Sequence, residues 1–207
     1  MNMNVLQIET SIHGRVLFEK RGDDNLLIGF HGYAETAETH MAELASLPGI
    51  GEWSVAAIQA LHPFYSKGGT VIGASWMTSL DRELAIVDNI NYVRRAVVTL
   101  PPARTLVFLG FSQGAAMAAR AAAHIPAAGL ILLGGDIPPE VRELPLPPLL
   151  LARGERDDWY SAEKFKEDLR FVKPEKTLVF DGGHEWTDEF RTAAGEFLAT
   201  RKRSPAP

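Results

Sequence analysis

The sequence contains no cysteine. This absence excludes disulfides, thiolate nucleophiles and thiolate metal sites. It fits a reducing compartment, so we expect a cytoplasmic location. No apolar run is long enough to span a bilayer, and residues 1–15 lack the charged region and apolar core of a signal peptide. We therefore expect no integral membrane contact.

An excess of basic charge is also absent. The chain has 21 Lys and Arg against 26 Asp and Glu, a formal net charge of −5. This balance argues against a polyanionic partner, so no nucleic acid is expected. The single basic run, at residues 201–203, lies in a proline-ending segment. Residues 201–207 are expected to form a flexible C-terminal tail.

What the chain does have is enough apolar material for one α/β domain. Of its 207 residues 46% are hydrophobic, and residues 1–200 are assigned to a single domain. Apolar runs of strand length alternate with segments of helical periodicity. Because apolar strands separated by helices are typical of covered parallel sheets, we predict a mostly parallel, doubly wound sheet with helices on both faces.

Two regions depart from this alternation. Residues 5–10 and 15–20 flank a turn-like stretch, which predicts an antiparallel N-terminal hairpin at one edge of the sheet. Residues 61–79 are glycine-rich and aromatic with little periodicity, which predicts a long functional loop. No insertion is large enough for a separate lid domain.

A serine stands between a predicted strand and a predicted helix in "TLVFLGFSQGAAMAARAAAH", residues 105–124. Gly110 lies two positions before Ser112 and Gly114 two positions after it. A sharp strand-to-helix turn leaves no room for side chains at these two positions. Glycine–x–serine–x–glycine in this context is the pattern of a nucleophile elbow. The simpler alternative is a helix N-cap serine in a glycine-rich turn.

A serine nucleophile needs a base, and the chain offers six histidines. Only His31 and His184 follow strong predicted strands directly, while His62 opens the long loop. The chain order that accompanies this elbow is serine, acid, histidine, which His184 satisfies and His31 does not. The alternative for His184 is a solvent-facing residue at a helix start.

The acid that orients the base must then lie between Ser112 and His184. Asp157 and Asp158 follow one predicted strand, and Asp136 follows the strand before it. Asp181 precedes two glycines and is interpreted as a turn residue. The residues alone do not separate Asp157 from Asp158, and Asp136 stays a competitor.

Two backbone N–H groups are needed to bind an oxyanion. Gln113 follows the nucleophile and supplies one. Tyr33, after Gly32 at the end of the strand "NLLIGF", is predicted to supply the other. The alternative is an ordinary glycine turn at a strand end.

Four segments together resemble the α/β-hydrolase superfamily, and more narrowly the phospholipase/carboxylesterase family, which includes the acyl-protein thioesterases. They are "FHGY" at 30–33, "GFSQGAAMA" at 110–118, "GERD" at 154–157 and "GGH" at 182–184. The resemblance runs from about residue 26 to about residue 198. It implies the α/β-hydrolase fold and hydrolysis of carboxylic esters or thioesters without a cofactor or metal.

The resemblance also implies roles for single residues. Ser112 is the expected nucleophile, Asp157 the acid and His184 the base, with Tyr33 and Gln113 as oxyanion donors. Two departures concern the rim of the site: Ala34 stands where the family usually has a second glycine, and "DWYS" follows the acid in place of a stretch with proline and valine.

The sequence therefore predicts a serine carboxylesterase for small or medium-chain esters. An acyl thioesterase or a lysophospholipase is the nearest alternative, and a catalytically silent binding protein of the same fold is an alternative of another class. The expected partner is a small-molecule ester or thioester, and a homodimer is left open. The residues expected to bind substrate are aromatic or flexible and apolar: Phe64, Tyr65, Trp76, Met77 and Trp159.

Overall fold

A computed structural model describes residues 3–202 of the chain. Most of its strands form one sheet and two form a separate hairpin. The strands are β1 Val16–Glu19, β2 Asn25–Phe30, β3 Ser54–Ile58, β4 His62–Ser66, β5 Val71–Ser75, β6 Thr105–Phe111, β7 Gly129–Leu133, β8 Leu149–Gly154 and β9 Lys176–Phe180.

The main sheet has seven strands in the order β1-β3-β2-β6-β7-β8-β9. All neighbours pair in parallel except β1 and β3, which are antiparallel. The central strands are apolar because they are buried on both faces, whereas β1 and β9 lie at the edges and are half-exposed. The predicted mostly parallel sheet is confirmed.

Helices cover both faces of this sheet, as predicted. They are α1 Ala37–Ala45, α2 Arg82–Thr99, α3 Gln113–His124, α4 Ala162–Asp168 and α5 Asp188–Arg201. The core on one face includes apolar residues of α2, α3 and α4, and the core on the other includes those of α1 and α5. No large extra domain interrupts the sheet. No helix among residues 3–202 is long and apolar enough to cross a membrane.

Local sequence signals set the helix ends. Thr36, Ser161 and Thr187 cap α1, α4 and α5, and each hydroxyl oxygen accepts a hydrogen bond from the backbone N–H three residues later. Helix α2 ends before two prolines, which cannot continue a helix. Helix α5 reaches Arg201, and the rest of the predicted tail, residues 203–207, lies outside the described residues.

The antiparallel N-terminal edge of the sheet is confirmed, but its second strand differs from the prediction. Residues 5–10 form no strand, and β1 pairs instead with β3, from Val16 opposite Ile58 to Glu19 opposite Val55. The apolar side chains of residues 5–10 gain little burial, since Val5, Leu6 and Ile8 are each more than four-fifths exposed.

Residues 61–79 were predicted to be a loop, and that prediction is wrong in part. Strands β4 and β5 form an antiparallel hairpin there, from His62 opposite Ser75 to Ser66 opposite Val71. The hairpin stands outside the main sheet and keeps Tyr65 and Ile72 largely exposed. Its two faces are not divided into a polar and an apolar one, so the sequence lacks the alternation that marks a strand.

Candidate active site

Ser112 lies in the turn between β6 and α3. Its backbone has φ 54° and ψ −122°, a conformation that non-glycine residues rarely adopt. Its N–H donates to the carbonyl of Leu133 at 2.9 Å, which ties the turn to the end of β7. The strained backbone presents the hydroxyl at the carboxyl edge of the parallel strands, where ligands of such sheets bind.

The two glycines around Ser112 permit close backbone contacts. A Cβ at Gly110 would collide with the carbonyl of Gly114, and a Cβ at Gly114 would collide with the carbonyl of Phe30. The alanines that follow are mostly buried and let α3 lie close to the sheet. The glycine–x–serine–x–glycine pattern is therefore required by packing, which the simple N-cap alternative does not explain: no side-chain capping bond is made by Ser112.

The structure brings Ser112, His184 and Asp157 into one hydrogen-bonded chain. Nε2 of His184 lies 2.8 Å from Oγ of Ser112, and Nδ1 lies 2.9 Å from Oδ2 of Asp157. The imidazole has two aromatic neighbours, with ring centroids 4.9 Å away for Phe111 and 6.2 Å away for Trp159. With the proton on Nδ1 donated to Asp157, Nε2 is free to accept the serine proton.

The structure separates the four candidate acids. Asp157 is 3% exposed, and its other oxygen, Oδ1, accepts hydrogen bonds from the N–H groups of Trp159 and Tyr160, both at 2.9 Å. Asp158 and Asp136 are exposed, and Asp181 is an exposed partner of Arg156. Only Asp157 is hydrogen-bonded to His184 in the part of the chain that the structure describes.

Arg153 supports the turn that carries Asp157, a role that the sequence analysis missed. It lies at the end of β8 and is 4% exposed. Its guanidinium donates to the carbonyls of Tyr160 at 2.8 Å, Glu155 at 3.2 Å and Asp157 at 3.3 Å. An arginine inside the apolar run "LPPLLLARG" was the available signal, because a buried guanidinium needs several acceptors.

Asp168 holds the far side of the same turn. It is fully buried at the end of α4, and its Oδ2 accepts from the Tyr160 hydroxyl at 2.8 Å and from the Ile137 N–H at 3.0 Å. Oδ1 accepts from Arg142 at 3.3 Å. Burial raises the pKa of Asp168, while these donors oppose the rise. The acid turn thus rests on a network in which each oxygen of this carboxylate has a partner.

His31, the rejected base, has a structural role instead. It is fully buried; its Nδ1 lies 2.7 Å from the carbonyl of Gly32, and its Nε2 accepts from the Ala60 N–H at 3.0 Å. These two bonds require the proton on Nδ1 and occupy both ring nitrogens. Burial lowers its pKa, so the ring stays neutral and anchors the loop that follows β2.

The loop at residues 32–35 lies close to Ser112. The Glu35 N–H donates to the carbonyl of Gly32 at 3.3 Å, and Ala34 has φ 62°. Ala34 therefore adopts the left-handed conformation that a glycine would favour, so the departure from the family pattern leaves the turn in place. Ala34 and Glu35 also pair with Ala74 of the hairpin.

Both predicted oxyanion donors lie next to residues that approach Ser112 or follow it. Gln113 is the first residue of α3, where a backbone N–H has no acceptor within the helix. The N–H of Tyr33 has no protein acceptor among residues 3–202. A Cβ on the preceding Gly32 would lie 3.3 Å from Cβ of Ser112, so the loop runs close to the nucleophile.

The Gln113 side chain joins the nucleophile turn to the hairpin, which the sequence analysis also missed. Its Oε1 accepts from the N–H of Trp76 at 2.9 Å, and its Nε2 donates to the carbonyl of Met77 at 2.8 Å. The hydroxyl of Ser75 lies within hydrogen-bond distance of both atoms. One side chain thereby holds the end of β5 beside Ser112.

The five residues expected to bind substrate fall into two groups. Tyr65 and Trp159 are 72% and 75% exposed, while Phe64 and Met77 are half-buried. Trp76 is fully buried: its indole N–H donates to the carbonyl of His31 at 2.9 Å, and its ring packs on Phe30 at 5.5 Å. Trp76 is therefore a core residue, and the expectation that it contacts substrate is not supported by its position.

Ser112, His184 and Asp157 line neither of two clefts elsewhere on the surface, one beside Phe18 and Pro101 and one beside Leu144 and Phe171. His184 keeps 20% of its side chain exposed, so solvent and substrate reach it. Among the described residues, no group of three His, Asp or Glu side chains is arranged to hold a metal ion.

No family model matches the sequence, and no curated protein sequence matches it. Solved structures, however, are similar over most of the chain. Esterase PE8 aligns with a TM-score of 0.71 and 21% identity over 91% of this chain and 98% of its own. The Bacillus cereus carboxylesterase has a TM-score of 0.73 and 18% identity over 91% and 95%.

A third similar structure is Zea mays acyl-protein thioesterase 2, with a TM-score of 0.69 and 18% identity over 91% of this chain and 99% of its own. At such identities the likeness concerns the fold. The chain has the α/β-hydrolase fold, which confirms the fold that the four segments implied.

Proposed function

We propose that this protein is a serine hydrolase that cleaves carboxylic esters with small or medium acyl chains through an acyl-enzyme on Ser112. The observation that carries the proposal is the hydrogen-bonded chain from Oγ of Ser112 through His184 to Asp157, at 2.8 and 2.9 Å. These hydrogen bonds join a serine, a histidine and an aspartate in the contacts that a nucleophile, its base and the orienting acid require.

In the first half of the reaction, Oγ of Ser112 attacks the ester carbonyl while Nε2 of His184 takes its proton. The carbonyl π electrons move to oxygen, and the N–H groups of Tyr33 and Gln113 bind that oxyanion. Asp157 stabilises the imidazolium through Nδ1. The intermediate then expels the alcohol, which leaves with the proton from Nε2.

In the second half, water attacks the acyl-enzyme with His184 again as base. The tetrahedral intermediate collapses, Oγ of Ser112 takes the proton back, and the carboxylic acid leaves. The exposed and half-buried side chains of Phe64, Tyr65, Met77 and Trp159 are proposed to wall the acyl group. A thioester fits the same steps, and the fold similarity to the maize acyl-protein thioesterase makes it the second candidate.

The test is labelling by a fluorophosphonate, followed by peptide mass spectrometry and p-nitrophenyl ester kinetics. We expect the label on Ser112, and Ser112→Ala to lower kcat by about 10⁶, as in other serine triads. Folding of the variant is checked by circular dichroism. Turnover at the wild-type rate in a folded Ser112→Ala protein would contradict the mechanism, and absence of both label and turnover in the wild type would favour a binding protein.

A further inference from the structure

Glu35 places a carboxylate without a cationic partner beside the nucleophile. Its Oε2 accepts from the Gly32 N–H at 2.7 Å. A Cβ added at Gly32 would lie 3.1 Å from Oε2 of Glu35 and 3.3 Å from Cβ of Ser112. The carboxylate and the nucleophile are therefore neighbours across one backbone residue. The sequence analysis did not single out this residue.

The neighbouring carboxylates of the same segment show how unusual this is. Glu38 is paired with Arg15, and Glu43 is paired with Arg191. Glu35 takes part in none of the ion pairs among residues 3–202. It is nonetheless less exposed than Glu38, so it loses more hydration, and no lysine or arginine among residues 3–202 pairs with it. The one positive charge that acts on it is that of His184 when its imidazole is protonated.

One oxygen of Glu35 remains available to a ligand. Oε2 accepts from the Gly32 N–H, whereas Oε1 has no protein partner among residues 3–202. Oε1 is also not among the unpartnered side-chain polar atoms there that are shielded from solvent. Burial raises the pKa of this carboxyl, and the Gly32 N–H opposes the rise. A cation bound at Oε1 would supply the missing counter-charge.

Exposed aromatic side chains lie near the same residues. Trp159 is 75% exposed with its ring 6.2 Å from that of His184, and Tyr33 is 60% exposed with its ring stacked on Phe64 at 5.3 Å. Exposed aromatic faces attract ammonium groups. A half-buried carboxylate near Ser112, an exposed ring near His184 and an exposed ring next to Gly32 supply the chemistry that recognises a cation beside an ester carbonyl.

We propose that Glu35 is a specificity-determining residue that selects esters carrying an ammonium group a few atoms from the scissile carbonyl, with Trp159 and Tyr33 contacting the same group. This inference rests on the proposed ester hydrolysis at Ser112. It assigns the substrate class and leaves the chemical steps unchanged.

The test compares two pairs of esters that match in shape and differ in charge. Acetylcholine and 3,3-dimethylbutyl acetate carry the difference on the alcohol side. Betaine methyl ester and methyl 3,3-dimethylbutanoate carry it on the acyl side. The readout is the cationic-to-neutral ratio of kcat/KM at pH 7.5 and low salt, corrected for spontaneous hydrolysis. Dividing the wild-type ratio by a variant's ratio removes the intrinsic reactivity of the esters.

We expect Glu35→Gln to lower this ratio by at least about tenfold for at least one pair, the effect of losing one screened ion pair near a protein surface. Glutamine keeps an acceptor for the Gly32 N–H, so the charge is what changes. Glu35→Asp keeps the charge and should retain most of the preference. Trp159→Ala, at an exposed position, should lower the ratio by about threefold.

Asp158→Asn is the matched control, because Asp158 is an exposed carboxylate at the same rim. Its ratio should stay at the wild-type value. The proposal is overturned if Glu35→Gln keeps the wild-type ratio for both pairs, or if Asp158→Asn lowers it equally, which would indicate the general negative field. If the glutamine variant does not fold, an unchanged ratio in Trp159→Ala and a lost preference in a folded Glu35→Asp overturn it instead.

The proposed function fails in a different way. In that case the wild type hydrolyses neither ester of a pair and fluorophosphonate leaves Ser112 unlabelled. Labelling of Ser112 together with hydrolysis that ignores charge leaves the esterase in place and removes only the role of Glu35.

Discussion

The two sides of the Ser112 site are built differently. On the acid side, the turn that carries Asp157 rests on Arg153, Tyr160 and Asp168, and no buried side-chain atom of these residues lacks a partner. On the oxyanion side, comprising residues 31–40 and the β4–β5 hairpin, His40 is buried with both ring nitrogens unpartnered. Glu35 on that side has no cation.

This difference separates what the reaction requires from what a substrate requires. An acid that orients a base must stay within hydrogen-bond distance, and buried partners enforce that position. The oxyanion side has fewer such partners, and exposed rings lie on both sides of the site, Tyr33 on this side and Trp159 beside Asp157. Substitutions of the buried residues on the acid side should therefore change rate and stability, whereas those on the oxyanion side, and at exposed Trp159, should change selectivity or the response to pH.

The largest expected effect is at the proposed acid, Asp157. Asp157→Asn should lower kcat by about 10⁴, because an asparagine in this position leaves the imidazole in the wrong tautomer. Asp158→Asn and Asp136→Asn should have mild effects, since both carboxylates are exposed. Steady-state kinetics on the three purified variants measure this. A severe Asp158→Asn beside a mild Asp157→Asn would contradict the hydrogen bonds that the structure gives to His184.

Much of this architecture follows from the sequence. The strand–turn–helix around Ser112 and the order of serine, acid and histidine are local or sequential features. Choosing Asp157 over Asp158 required the resemblance of "GERD" to the hydrolase family. The two aspartates are neighbours and differ only in the direction that the turn gives to their side chains. The geometry of the turn is set by buried partners distant in sequence.

Other parts were beyond the sequence for stated physical reasons. The first half of the N-terminal hairpin was predicted because residues 5–10 and 15–20 flank a turn-like stretch, but β1 pairs instead with β3, which is buried along its whole length. Trp76 was predicted to bind substrate because aromatic side chains both line pockets and pack in cores, and the sequence does not distinguish the two. Its hydrogen bond to His31, 45 positions away, is a tertiary contact that no local pattern contains.

Removal of the buried guanidinium tests the acid side next. Arg153→Met should lower the free energy of unfolding by about 3 kcal/mol, because three carbonyls lose donors in a buried turn. We also expect kcat to fall by at least about tenfold as Asp157 loses its fixed position. Urea unfolding and ester kinetics measure both. Arg104→Met, at an exposed ion pair with Asp24, is the control and should change stability by less than about 0.5 kcal/mol.

The buried histidine tests the oxyanion side. Burial lowers the pKa of His40 to about 3 from its ordinary 6.5. The folded state therefore binds no proton at His40 between these values, whereas the unfolded chain does. Stability should be lost as pH falls below 6.5, by at most about 1.4 kcal/mol per pH unit from this group.

His40→Leu should remove this dependence and cost little at pH 7, because both nitrogens already lack partners. Urea unfolding at pH 7.0, 6.0 and 5.0 measures the difference, and His124→Leu, at an exposed position, is the control. An unchanged pH dependence in His40→Leu would assign the acid sensitivity to other groups, beginning with His31, whose pKa burial also lowers.

The smallest expected effect joins the two sides. Gln113 donates its backbone N–H to the proposed oxyanion hole and holds the hairpin with its side chain. Gln113→Ala keeps the N–H and leaves the backbone polar groups of Trp76 and Met77 without this partner. The end of β5 should then loosen, so the wall that we propose Phe64 and Met77 form should select acyl chains less sharply.

We expect KM for p-nitrophenyl esters of four to eight carbons to rise by about tenfold, with a smaller fall in kcat, because hairpin contacts bind the acyl group in ground state and transition state alike. Gln113→Glu accepts from Trp76 but cannot donate to Met77, so it should fall between the alanine variant and the wild type. Kinetics across the chain-length series measure the pattern. An equal fall in kcat for every ester at constant KM would instead place the Gln113 side chain with the acid side, as support for the nucleophile turn.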